Sequence, residues 1–62
     1  MPYVIVECLE GRTVEQKRAA AKAITDAIVE HLKTSAEATH VIFHEIKHEN
    51  LAVAGKLHSD RT

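Results

Sequence analysis

A chain of 62 residues buries only about 60% of the surface its unfolded form exposes, so its core is marginal. Its single cysteine excludes an intrachain disulfide, which leaves oligomerisation as the expected source of stability for so small a scaffold. A net charge of −1, with Tyr3 and Phe43 as the sole aromatics, excludes the basic, ring-studded stripe that nucleic-acid binding wants.

Pro2 follows Met1 directly. A small second residue lets an initiator methionine be trimmed, and the mature chain would then begin with a free secondary amine. Such an amine acts as a general base or nucleophile once its pKa lies near the working pH. Proline at the first position of an edge strand also costs no ladder hydrogen bond, so on its own the residue leaves both readings open. The strand it heads, residues 2–8, sets Val4, Val6 and Cys8 on one face and Tyr3, Ile5 and Glu7 on the other. Both faces are largely apolar, as in a strand covered on two sides, and Cys8 reads as packing. The strand is too short to span a bilayer and is interrupted by Glu7; with no signal sequence in view, one cytoplasmic domain over residues 1–62 is expected, with no membrane partner.

Leu9-Glu10-Gly11-Arg12 predicts a turn, and Thr13 with Gln16 three residues on predicts a capping box. A helix follows to about Lys33. Ala20, Ala23, Ile24, Ala27, Ile28 and Leu32 recur at helical spacing, and Arg18, Lys22, Asp26 and Glu30 face solvent. A second strand is predicted from Thr39 to Ile46, with Val41 and Phe43 on one face and His40, Ile42, His44 and Ile46 on the other. Two strands joined by so long a crossover are parallel. Residues 47–50 break the pattern, and residues 51–55 predict a short extension or hairpin. The expected fold is therefore α+β, a β-α-β unit with a parallel strand pair and a short C-terminal hairpin. One helix covers one sheet face, and the apolar residues Ile5, Ile42 and Ile46 on the other mark an interface. Closed homo-oligomerisation is expected to complete the fold.

The histidines at 40, 44, 48 and 58 raise a metal reading that strand geometry opposes. On one strand face, His40 and His44 stand about 13 Å apart by rise, whereas zinc needs ligand atoms about 2 Å from the ion. No metal and no cofactor are expected. A nucleophile elbow and a phosphate-binding glycine loop are both absent, and two glycines cannot build a dinucleotide fingerprint. Among chain groups this leaves Pro2 and its surroundings. Arg12 lies just ahead of a helix N-terminus, where guanidinium and dipole both favour an anion; it also reads as an ordinary solvated turn charge.

Met1-Pro2-Tyr3-Val4, the Leu9-Glu10-Gly11-Arg12-Thr13 turn followed by Glu15-Gln16-Lys17, and the closing segment Ala52-Val53-Ala54-Gly55-Lys56 together resemble the 4-oxalocrotonate tautomerase family over nearly the whole chain. The resemblance implies a cofactor-independent keto-enol tautomerase of the 2-hydroxymuconate tautomerase kind. Its amino-terminal proline, here Pro2, is the general base, and Arg12 engages a carboxylate of a small 2-hydroxydienoate or enolpyruvate-type acid. It further implies dimers assembled into a homohexamer, a trimer of dimers, with sites shared between subunits. Leu9, Leu51 and Val53 would line the substrate, with Val41 adding to the apolar wall.

Two positions depart from the family pattern. His40 stands where the second substrate arginine falls, and it lacks the fixed guanidinium fork. Leu51 replaces an aromatic wall residue. The first weakens the expectation of a dicarboxylate substrate; the second keeps the site apolar but loses ring contacts. A hydratase or dehalogenase-like enzyme would instead use protonated Pro2 as acid and a carboxylate, Glu7 or Glu45, to activate water. A non-catalytic oligomeric module of the same fold is the remaining alternative.

Overall fold

A computed structural model describes residues 2–61; Met1, and with it the expectation that Met1 is removed, lies outside them. The order is β1 (Tyr3–Leu9), α1 (Val14–Leu32), β2 (His40–Ile46), a 3-10 turn at His48–Asn50, β3 (Ala52–Val53), β4 (Lys56–Leu57) and a second 3-10 turn at His58–Arg61. Strands β1 and β2 run parallel, with Tyr3 opposite His40, Val6 opposite Phe43 and Leu9 opposite Ile46. The expected β-α-β unit with its C-terminal hairpin is the observed fold.

Alternation along both strands sends Val4, Val6 and Cys8, with Val41 and Phe43, toward partial burial, and leaves Tyr3, Ile5, Glu7, His40, Ile42 and His44 exposed. Ile46, expected on the bare face, is instead half-buried beside its register partner Leu9.

Helix α1 starts where the sequence signals it. The Thr13 hydroxyl accepts from the Gln16 amide at 3.1 Å, and Gln16 Oε1 accepts from the Thr13 amide at 2.9 Å. Each bond satisfies a donor that the first helical turn leaves orphaned. The helix ends as Lys33 turns left-handed at φ 58°, a conformation that a C-terminal cap favours but a side chain resists. Lys22 Nζ donates to Asp26 at 2.8 Å on the solvent side, and this bond, with the carboxylate's charge, holds the ammonium pKa above its usual value.

The packed stripe of α1 is rotated from the expected one. Lys17, Ala20, Ala21, Ile24, Thr25, Ile28 and Val29 are half-buried, whereas Ala23, Ala27 and Leu32 are exposed. Lys17 explains part of the rotation: its ammonium reaches Glu45 of β2 at 2.7 Å, laying an apolar stem along the sheet. The width of the sheet explains the rest. Two strands about 4.8 Å apart offer a strip no broader than the helix, so residues flanking its centre overhang.

The hairpin turns on Ala54 and Gly55, both at positive φ (55° and 79°), the two-residue form whose twist matches its strands. The His58 amide donates to the Leu51 carbonyl at 2.7 Å and closes its base.

No described residue is fully buried. The chain measures 43 × 23 × 13 Å with a radius of gyration of 14.7 Å, against about 11 Å for a compact chain of this length. Its accessible surface is 4779 Å², where a globular monomer of this mass exposes about 4000 Å². No helix among the described residues is long and apolar enough to cross a membrane.

Candidate active site

Pro2 sits half-buried at the head of β1. Its carbonyl accepts from the His40 amide at 3.0 Å, which anchors the chain start to β2. The His40 ring stacks on Tyr3, with centroids 4.7 Å apart and planes inclined by 14°. Both rings lie on the exposed sheet face.

Arg12 lies at the other end. The turn that carries it depends on Gly11, whose φ of 119° is a conformation side chains rarely adopt. The capping box of Thr13 then fixes the chain one residue after Arg12. Val6, Cys8, Arg12, Gln16, Lys17, Ala20 and Phe43 line a half-open cavity of about 170 Å³ between helix and sheet. Of the two cations in this lining, Lys17 is engaged by Glu45. Arg12 has no carboxylate within ion-pair distance among the described residues. An unneutralised guanidinium beside the first turn of a helix is suited to an anion.

The seven residues of β1, at about 3.3 Å each, put about 20 Å between the Pro2 end and the Arg12 end. One chain therefore brings Pro2 and His40 together, and Leu9 near Arg12, but does not unite the two groups. Leu51 is half-buried just before the hairpin, and Val53 is exposed within it. Glu45, one of the two carboxylates available for water activation, is held by Lys17. Glu7 lies on the bare face, 3.6 Å from His44 Nδ1.

Three contacts carry no sequence signal of their own. The Lys17–Glu45 pair and the Tyr3–His40 stack become readable only once the parallel register is known. The stacking of His48 on His58, at 4.9 Å between centroids, depends on how the two 3-10 turns fold back. His40 and His44 lie on a strand, not on a helix where their spacing would bring them together.

Comparison with known proteins matches residues 2–61 to the family described as Tautomerase enzyme. A probable tautomerase of Halalkalibacterium halodurans is 43% identical over 61 residues, covering 98% of this chain and all of the relative. The 2-hydroxymuconate tautomerase of Bacillus subtilis is 47% identical over 60 residues, covering 97% of each chain. Among solved structures, a 4-oxalocrotonate tautomerase isozyme from Methylibium petroleiphilum superposes with a TM-score of 0.91 at 40% identity, covering 97% of this chain and 94% of that one.

Proposed function

This chain belongs to the tautomerase family and is an isomerase, and from that premise we propose that Pro2, freed by removal of Met1, is its general base. The substrate is a small enol or dienol acid whose carboxylate rests on Arg12. Deprotonated Pro2 takes the proton of the 2-hydroxyl and returns it to a carbon further along the conjugated system. The 2-keto acid forms with no net gain or loss of atoms. The observation that carries this reading is the family match itself, which begins at residue 2, so that Pro2 heads the matched segment.

Because about 20 Å of strand separates the two ends of β1, the reading requires Pro2 and Arg12 from different subunits. An antiparallel apposition of two β1 edges about a two-fold axis sets Pro2 of one chain opposite residues 9–12 of the other. Strand β1 has a free edge for this, being paired on one side only. The exposed sheet face, with Tyr3 at 58%, Ile5 at 61% and Ile42 at 46%, supports further packing of such dimers, and a trimer of dimers is the assembly proposed. His40 and Leu51 remain candidate substrate contacts, with Leu9 and Val53 beside them. Hydration or dehalogenation finds less support, since Glu45 is committed to Lys17.

The test is ketonisation of a simple enol acid by protein whose intact mass shows Met1 gone. Pro2→Ala is expected to lower kcat by about 10²–10⁴-fold, the usual weight of general acid–base catalysis, with the oligomer intact. Undiminished turnover in that variant would remove Pro2 from the chemistry. A pH–rate profile is expected to show a basic form required for activity, with a limb below that of an ordinary secondary amine, because apolar surroundings and a nearby guanidinium disfavour the protonated state.

A further inference from the structure

We infer that Tyr3 is a positioning residue for Pro2: its ring, stacked on His40, clamps the first rung of the sheet and fixes where the amine of residue 2 stands. This rests on the reading of Pro2 as general base and adds what holds that base in place.

A chain start holds a catalytic group poorly by itself. Terminal residues fray unless something ties them down, and openings at such ends cost almost no free energy. Among the described residues one backbone bond ties Pro2 to the sheet, the His40 amide donating to its carbonyl at 3.0 Å. Strand β1 itself starts only at Tyr3. A shift of about 1 Å in a reacting group can cost about 10²-fold in rate, so a loose rung here bears directly on catalysis.

The brace lies one residue on. Tyr3 and His40 are register partners, and their rings stack with centroids 4.7 Å apart and planes inclined by 14°, a favourable separation for an aromatic pair. His40 is bonded to Pro2 through its amide, and Tyr3 is joined to Pro2 by the peptide bond. The stack therefore closes a loop around the Pro2 carbonyl, and opening the rung requires the two rings to part or shear. With that peptide plane held and the φ of proline set by its own ring, rotation about Cα–C of residue 2 is the one soft torsion left to the amine.

The two faces of the sheet divide the work. Alternation carried back one residue places Pro2 with Val4 and Val6 on the helix side, and Pro2 is half-buried. Tyr3 and His40 are exposed on the opposite side. The stack thus braces the terminus from behind, without occupying the side on which the Pro2 ring lies.

The experiment pairs kinetics with amide exchange on protein whose intact mass shows Met1 gone. Tyr3→Leu keeps apolar bulk on the sheet face but removes the ring, and Tyr3→Phe restores the ring without the hydroxyl. In Tyr3→Leu the His40 amide is expected to exchange about 2–12-fold faster relative to the mid-strand amides of β2, the weight of one aromatic pair. That internal reference separates loosening of the chain start from loss of assembly. The kcat for an enol acid is expected to fall at least about twofold, with KM changed less, as the competent population shrinks. Tyr3→Phe is expected to recover both. His40→Leu breaks the same stack from the other strand, so the double variant with Tyr3→Leu should match the kcat of the more impaired single variant rather than multiply the two losses. Unchanged kcat in Tyr3→Leu, a fall in kcat without faster His40 exchange, multiplied losses in the double variant, or no recovery in Tyr3→Phe overturns the inference. Undiminished turnover in Pro2→Ala removes the base and this role with it. Impaired Pro2→Ala beside an unaltered Tyr3→Leu removes the clamp alone.

Discussion

Arg12 draws its value from its immediate neighbours. Gly11, at φ 119°, turns the chain, Thr13 and Gln16 lock it into the helix start, and no described carboxylate neutralises the guanidinium. Arg12→Ala is therefore expected to lower kcat/KM for an enol acid by about 10–100-fold, the range of a lost charge-assisted hydrogen bond, mostly through KM. Arg12→Lys keeps the charge but not the bidentate fork, and should recover only part of that loss. Steady-state kinetics on the two variants distinguish a carboxylate clamp from a solvated turn charge, since the latter predicts no change in either. The sequence pointed to Arg12 through its turn motif, but not to the cavity behind it. That cavity gathers Ala20 of α1 with Val6 and Phe43 of the two strands, a grouping no local pattern encodes.

Among the elements, β1, α1 and β2 were readable because period and cap agree: alternation in the strands and a capping box at Thr13. Thr13→Ala removes one half of the capping box and is expected to destabilise the fold by about 1 kcal/mol, read as a lower midpoint of chemical denaturation. The rotated stripe of α1 was not readable, because composition ranked Ala23 and Ala27 as core while the long stem of Lys17 took a place on the sheet through Glu45. In the hairpin, Ala54 holds φ 55° against the steric preference of any residue with a Cβ, a cost of about 1–2 kcal/mol. Ala54→Gly should recover about 1 kcal/mol of this, the remainder being offset by the greater freedom of glycine in the unfolded chain. Thermal melts at one protomer concentration would show it as a raised Tm.

At the scale of the whole molecule, a flat protomer 13 Å thick with no buried residue among those described does not account for its own stability. Its half-buried side chains make a single-layer core, and the face opposite the helix exposes Tyr3, Ile5 and Ile42. Folding is then expected to be coupled to association, with Tm rising with protomer concentration. A Tm constant across a hundredfold dilution, with sedimentation as a monomer, would contradict this. The need for partners followed from chain length and from two apolar strand faces served by one helix. The number of partners did not, because it depends on surfaces meeting at angles that no single chain specifies.

The length of β1 also sets a rule of inheritance between subunits under the proposed shared site. With Pro2 at one end and Arg12 at the other, a chain defective in Pro2 would still lend a sound Arg12, and a chain defective in Arg12 would still lend a sound Pro2. Pro2→Ala and Arg12→Ala, each at least about tenfold impaired in kcat/KM as a pure assembly, are expected on unfolding and refolding together to regain about a quarter of the wild-type kcat/KM, since random pairing about a two-fold axis gives half mixed dimers, each with one intact site. Two damaged parents would thus yield working offspring, which no arrangement confined to a single chain allows.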